Sequence, residues 1–588
     1  MFNRREFLTG AAASLASQLG VGQQGMSSRG LRPQPRSKPS GLPFPAHFTD
    51  VAAQAGLVHP VIYGGIQRKT YIFETTGCGV AFLDYDNDGW LDIFVPCGIR
   101  VGEIIPGTTN RLYKNNRDGT FTDVTEQAGL VRTGWASGVT VGDYNNDGFE
   151  DIFITYYGQN VLYRNNGNGT FTDVTEHAGL KSPDPGFMGS GCTFLDFDRD
   201  GNLDLFVANY VNIDLASLPK PGETPACIYR EVAVNCGPRG LPFARNFLYK
   251  NQGDGTFREV TQNLGINTAE PAYSMTSIAA DFDEDGWTDL YVASDSTSSL
   301  LFMNQHGAGF KEEGIVRGVS LSDDGQVQAG MGVAVGDFNL DGHLDIFKTH
   351  FQEDTNGLYQ NDGTGNFTDV TRAAGLAVET RFICWGAGFA DLDNNGWPDL
   401  VVVTGSIYPE VEARWRQYPL HTPRLVFRNL GNGKFEELID EAGPGFTAAH
   451  CSRGCAFGDF DNDGDVDIVV INLNEPPSLL RNDLKGGGNW LKVKLIGTKS
   501  NRSAIGSRVI AHYSGKSHAQ AVLGQSSFYS VNDRRLHFGL GPANEADLEI
   551  HWTNGSTEKY SKVNSNQLVV IREGHGIECA GPLPGRRI

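Results

Sequence analysis

Seven copies of one acidic nonapeptide limit what this 588-residue chain can fold into. They read "DYDNDGWLD" from Asp84, "DYNNDGFED" from Asp143, "DFDRDGNLD" from Asp196 and "DFDEDGWTD" from Asp281. "DFNLDGHLD" from Asp337, "DLDNNGWPD" from Asp391 and "DFDNDGDVD" from Asp459 complete the set, at spacings of 53 to 85 residues. A small-residue run such as "GVAFL" precedes each copy, and an apolar β-type run such as "LDIFV" follows it. Further on come "LYKN" or a cousin, a Gly/Asn turn and a segment like "FTDVTEQAGL". Each unit therefore reads as four short strands. Seven such units predict an all-β chain folded as a seven-bladed β-propeller, with a linear β-solenoid as the competing architecture. The seventh unit lacks its "FTDV" strand, and an orphan copy stands at Phe48, before the first acidic loop. Counted with Phe121, Phe171, Phe257, Phe310, Phe367 and Phe435, it restores seven. Residues 48–51 are expected to pair with 479–482, closing the ring and removing two exposed sheet edges.

The nonapeptide carries oxygen ligands at alternate positions. Position 1 is Asp84, Asp143, Asp196, Asp281, Asp337, Asp391 and Asp459. Position 3 is Asp86, Asn145, Asp198, Asp283, Asn339, Asp393 and Asp461. Position 5 is Asp88, Asp147, Asp200, Asp285, Asp341, Asn395 and Asp463. Position 9 is Asp92, Asp151, Asp204, Asp289, Asp345, Asp399 and Asp467. Such spacing, with Gly at position 6 for the bend, suits calcium, which takes six to eight oxygens in a flexible loop. Position 7 (Trp90, Phe149, Asn202, Trp287, His343, Trp397, Asp465) varies freely, as expected where only the backbone carbonyl is offered. An EF-hand is excluded, because position 12 lies in a strand and is never Glu. Paired carboxylates also suit general acid–base work, but seven equivalent copies favour a structural role in each. A plain turn explains Asp-Gly but not the acids at positions 1, 3 and 9. Up to seven calcium ions are expected, held more weakly where Asn145, Asn339 or Asn395 replaces an acid.

These loops and the "LYxN…GxFxDVTxxAGL" segments resemble FG-GAP/VCBS repeats, the blades of integrin-α-type propellers, over residues 48 to 483. The resemblance implies calcium at the loops, on one face of the ring. After a boundary at "LKGGGN", the segments "NRSAIGSRV", "SFYSVNDRRLHFGLG" and "IHWTNGS" resemble the ASPIC/UnbV domain. That domain follows such propellers in bacterial proteins and in cartilage acidic protein. The expected organisation is a signal peptide over 1–20, a disordered linker over 21–45, the propeller over 46–484, the ASPIC/UnbV domain over 485–575 and a tail over 576–588.

"NRREFLTG" followed by an Ala-rich stretch resembles a twin-arginine signal, predicting export to the periplasm or the exterior. No apolar run is long enough to span a membrane. A formal charge of −21 disfavours nucleic acid and anionic membranes and suits cations. Of nine cysteines, Cys227 and Cys236 lie close together in a Pro/Gly-rich insert and are the disulfide candidate. Cys78, Cys192, Cys384 and Cys455 read as buried filler.

The loops between the second and third strands are long in units 1, 3 and 6, and propeller geometry places them on the face opposite the acidic loops. Variable inserts gathered on one face are where binding residues concentrate. The candidate surface is 96–110, 209–245 and 405–424, with Tyr229, Arg230, Arg239, Tyr408, Trp415 and Arg416 as ligand candidates. Aromatic rings beside arginine suit a glycan or a protein ligand, and loop packing explains them equally. No G-x-S-x-G, H-E-x-x-H, dinucleotide or P-loop signature is present. The expected function is thus an exported, monomeric binding or adhesion module. The alternatives are a lyase- or hydrolase-like enzyme with its site at the top of the central channel, or a scaffold in a multi-protein complex.

Overall fold

In the computed structural model, which describes residues 28–103 and 105–584, each repeat folds into one four-stranded antiparallel sheet. The first sheet contains Ala81–Leu83, Asp92–Val95, Arg111–Asn115 and Phe121–Asp123, in that order. Six more sheets repeat the order, and the last takes its fourth strand from the other end of the chain. There Phe48 pairs with Asn482, Thr49 with Arg481 and Asp50 with Leu480. The twin-arginine segment lies outside the described residues.

Successive inner strands touch one another, and the inner strand of the seventh sheet, Ser452–Gly458, touches that of the first. Small residues make this approach possible. A Cβ on Gly332 would stand 1.9 Å from the carbonyl oxygen of Trp385 in the next sheet. The last residue of each "LYxN" adds a bond between sheets. Asn115 Nδ2 donates to the Phe460 carbonyl at 2.8 Å, Asn165 to Tyr85, Asn251 to Tyr144 and Asn304 to Phe197. Asn361 donates to Phe282, Asn429 to Phe338 and Asn482 to Leu392, which completes the cycle. Each acceptor is position 2 of the preceding acidic loop. Where that residue is aromatic, in six of the seven, its ring packs on the next sheet's "FTDV" phenylalanine, as in Tyr85–Phe171 (6.1 Å between ring centres) and Tyr144–Phe257 (5.7 Å). Buried amide-to-carbonyl bonds and aromatic pairs thus close the ring where the strands alone would leave edges.

The C-terminal region forms two further four-stranded sheets. One holds Leu536–Gly541, Asn489–Ile496, Gln567–Arg572 and Gly576–Gly581, and the other Lys516–Ala521, Arg508–Tyr513, Glu545–His551 and Thr557–Asn564. Residues 576–581, set apart above as a tail, are therefore an edge strand paired with 567–572. Most of that strand is exposed, so it carries no alternation that a sequence pattern could report.

The segment 524–533 leaves this domain and enters the centre of the ring. The Tyr529 carbonyl accepts from Val139 N–H at 3.0 Å, and Ser530 Oγ accepts from Val80 N–H at 3.1 Å. Ser527 Oγ donates to the Ala387 carbonyl at 2.8 Å, and the Gln525 side chain accepts from Ser277 N–H at 3.2 Å. Phe528 and Tyr529, both fully buried, stack with ring centres 3.9 Å apart. Above them, towards the variable inserts, a cavity of about 40 Å³ remains beside Tyr210, Asp295 and Tyr408.

Residues 28–45, expected to form part of a free linker, have no regular secondary structure but are tied to the fifth and sixth repeats. Arg29 pairs with Asp324 at 2.6 Å and Asp354 at 3.0 Å, and Arg36 with Glu379 at 3.2 Å and Glu437 at 2.5 Å. Arg428 donates to the Leu42 carbonyl at 2.7 Å. Composition reported a polar, proline-rich segment correctly; it could not report that its arginines meet acids 295 to 401 residues away.

Candidate metal centres and the opposite face

The acidic loops share a set of internal bonds. In five of them the position-1 carboxylate accepts N–H groups from positions 5 and 6, as Asp84 does from Asp88 (2.9 Å) and Gly89 (3.0 Å), and in the third and fourth it accepts that of position 6. The position-5 side chain accepts the N–H of position 7, in all seven loops. The position-9 carboxylate bridges two strands, as Asp92 does by accepting from Tyr85 N–H (3.3 Å) and Asn115 N–H (2.8 Å). Position 4 is left-handed in every loop, including Arg199, Glu284 and Leu340, residues that gain nothing from that conformation. The loops also bond to one another: Asn87 Nδ2 donates to the Gly148 carbonyl, Asn146 to Gly201 and Asn462 to Gly89.

Carboxylates converge in five loops: Asp84, Asp86 and Asp92; Asp196, Asp198 and Asp204; Asp281, Asp283 and Asp285; Asp391, Asp393 and Asp399; Asp459, Asp461 and Asp467. Within each group, ligand atoms lie within 4.8 Å of one another. These groups can hold a metal ion. Position 5 joins the cluster only in the fourth loop. Burial raises the position-1 carboxyls: Asp84 and Asp143 to about 6, and Asp196, Asp281 and Asp337 to about 7. Burial also raises every position-9 carboxyl well above its ordinary range. Such grouping of buried acids is unfavourable without a counter-charge.

Orphaned oxygens separate the loops. One carboxylate oxygen each of Asp86, Asp196, Asp198, Asp281, Asp283 and Asp461 is buried without a hydrogen-bond partner among the described residues. All belong to the first, third, fourth and seventh loops, and their donor chemistry fits a hard cation. In the second and fifth loops the position-3 side chain is Asn, and it bonds within its own loop: Asn145 Nδ2 donates to Asp147 at 2.9 Å and Asn339 Nδ2 to Asp341 at 2.7 Å. In two loops a lysine from "LYKN" reaches in, Lys114 to Asp86 and Lys250 to Asp198, a contact the repeat pattern did not reveal.

The ASPIC/UnbV-like sheets cover this face. Lys492 pairs with Asp459 at 3.2 Å, both buried, and Arg508 with Glu284 at 2.6 Å. Ala519 N–H donates to Asp337 at 3.0 Å, Arg534 pairs with Glu150, and Arg535 donates to the Asp459 carbonyl at 3.0 Å.

On the opposite face the inserts of the third and sixth sheets meet. Ile228–Tyr229 and Val232–Ala233 form a hairpin bracketed by the Cys227–Cys236 disulfide, with Arg230 and Glu231 both left-handed at its turn. The Arg230 guanidinium lies 3.8 Å from the Tyr418 ring centre and 5.1 Å from that of Tyr229, and it pairs with Glu353. Trp415 Nε1 donates to the Arg230 carbonyl at 3.1 Å. These residues line a cleft of about 410 Å³ with Gln417 and Ser28. Of the six ligand candidates, Tyr229, Arg230 and Trp415 meet here. Tyr408 does not: it is buried beneath, its ring centre 5.3 Å from that of Tyr229, so it supports the hairpin and offers no surface. Arg239 and Arg416 do not line the cleft. Tyr418, within the expected surface 405–424, joins Tyr229, Arg230 and Trp415, whereas Glu353 was missed, because nothing local to "FQEDTNG" marks a carboxylate 123 residues from its arginine.

A model of the FG-GAP-like repeat matches residues 84–154, 143–207, 232–292, 281–348, 349–402 and 422–505, and one described as ASPIC and UnbV matches 497–578. The chain is 25% identical over 519 residues to cartilage acidic protein 1 of Mus musculus, covering 84% of this chain and 73% of that one. It is 24% identical over 536 residues to the Xenopus tropicalis protein of the same name, covering 84% and 74%. Among solved structures, one concerns recognition of non-reducing terminal N-acetylglucosamine by an Agrocybe aegerita lectin. It matches with TM-score 0.34 and 16% identity, over 68% of this chain and 87% of that one. Among the described residues, no helix is long and apolar enough to cross a membrane.

Proposed function

This chain belongs to the FG-GAP-like repeat family and carries an ASPIC and UnbV domain, and from that premise we propose that it is an exported, calcium-stabilised binding module. Its ligand, a glycan or a protein, is met on the face opposite the acidic loops. One observation carries the reading: inserts from separate sheets converge on a single cleft where Arg230 is clamped over Tyr418 beside Trp415. Aromatic faces with fixed polar groups give both contact area and orientation to a ligand.

Calcium in the loops is supported by the orphaned oxygens of Asp86, Asp196, Asp198, Asp281, Asp283 and Asp461. The carboxylates at positions 1, 3 and 9 would hold the ion, with the position-7 carbonyl, such as that of Trp90, as a further ligand. Bound calcium supplies the positive charge that lets those acids stay ionised together. Export by a twin-arginine route would deliver a folded chain, with loop loading completed outside the cell.

A glycan array probed with the full chain in calcium and in chelator tests the reading. Signal on a defined set of glycans, lost in Trp415→Ala, is expected. A blank array, together with no binding to any purified extracellular protein in the same format, would sink it. Elemental analysis of the purified protein tests the metal separately, and calcium bound at four or more ions per chain is expected from the loops with orphaned or clustered carboxylates.

A further inference from the structure

A second cleft lies between the ring and the C-terminal sheets, under the first and second acidic loops. Its volume is about 270 Å³. Its lining carries five cationic side chains against four carboxylates, on a chain whose formal charge is −21. The Arg230 cleft has the opposite balance, one cation against two carboxylates.

The charges of the interdomain cleft are not all used. Arg534 pairs with Glu150, and Arg535 with Asp533 at 2.9 Å. Asp84 and Asp143 each accept two N–H groups of their own loops. Arg572 pairs with the exposed Glu578 at 2.5 Å. Lys494 and Arg502, which also line the cleft, make no direct ion pair among the described residues; the charge of Lys494 acts on Asp84 and that of Arg502 on Asp143 from beyond contact distance. Behind them the wall is apolar, with Leu91, Phe149, Leu495 and Leu568.

We propose that this cleft binds a carboxylate carried on an apolar body, with Lys494 and Arg502 holding the head group. Two cations lining one cleft beside apolar surface give such a ligand both charge pairing and burial of its chain. Asp84, Asp143 and Glu150 in the same cleft would repel a phosphate dianion more strongly than a singly charged head group. The two clefts share no lining residue, so this one is a site separate from that at Arg230.

Isothermal titration of the full chain, in calcium buffer, with octanoate and with its neutral counterpart octanamide tests the proposal. Saturable octanoate binding is expected, at least tenfold tighter than octanamide. The double variant Lys494→Gln/Arg502→Gln should lose at least tenfold in octanoate affinity, while Trp415→Ala, at the other cleft, leaves it unchanged. No octanoate binding by the unmodified chain, equal affinity for octanamide, or a double variant that binds as before would each overturn it. Should the double variant melt early, the octanoate-to-octanamide ratio on the unmodified chain decides alone.

Discussion

On one face of the ring, seven copies of a nine-residue loop stand in the same register and bond to their neighbours; on the other, inserts of unequal length fold over one cleft. The first face is built from local geometry repeated, and its surface is largely covered by the C-terminal sheets. The second depends on contacts each made once: a disulfide-bracketed turn, a stacked guanidinium, a tryptophan bonded to a carbonyl. Repetition spreads stabilisation over many equivalent sites, so loss of one is tolerated. A cleft made of single contacts fails at any of them, and that is the behaviour expected of a recognition site.

The contrast can be broken by experiment, beginning with the metal. Chelation should lower the thermal midpoint more than any single substitution, because each loaded loop contributes about 3 kcal/mol when the ion is near 100 times its Kd. An unchanged midpoint on addition of chelator would remove the cation from the acidic face. Next comes the segment inside the ring. Phe528→Ala should cost about 3–5 kcal/mol in chemical denaturation, the price of a large buried cavity. A loss under 1 kcal/mol would mean that the axis is not load-sharing. Third is the sheet-to-sheet amide. Asn304→Ala strips a donor from the buried Phe197 and Thr288 carbonyls and should cost about 1–3 kcal/mol.

The fourth prediction concerns acid. Burial, and then the neighbouring Lys516 charge, bring the His518 imidazole down to about 3 in the C-terminal sheets. Its folded pKa lies below its unfolded value, so the stability tied to its neutral form is complete above about pH 6.5. That stability is lost as pH falls towards 3. In calcium buffer, His518→Phe should therefore flatten the fall in midpoint between pH 6.5 and 4 relative to the unmodified chain. Parallel curves would refute the assignment. Last, Trp415→Ala should cost about 1–2 kcal/mol, since the ring is partly buried and bonded to the Arg230 carbonyl, yet abolish binding at the variable face. A variant that binds normally would move the ligand elsewhere.

The acidic loops, the strand pairing of Phe48–Asp50 with Leu480–Asn482 and the Cys227–Cys236 bridge could be anticipated because each is marked by repetition or short spacing. The "LYxN" asparagines were visible as a pattern, but their acceptors were not. Asn165 reaches a carbonyl 80 residues away, and a backbone carbonyl leaves no trace in a sequence. The same reason hides the axial segment: Ser527 and Ser530 bond to main-chain groups of inner strands, which any residue would present. Tyr408 misled for a different reason. An aromatic in an insert suits a ligand surface and a supporting core equally, and only packing against Tyr229 decides between them.

From its amino acids alone this chain was bound to be an all-β repeat protein with acidic loops shaped for a hard cation, because the ligand spacing, the bend and the strand pattern all lie within a few residues of one another. Tertiary structure alone decided what fills the ring's axis and which side chains of distant inserts share a cleft. Those outcomes depend on partners scores to hundreds of residues away, where chain connectivity carries no information about contact until the sheets have closed.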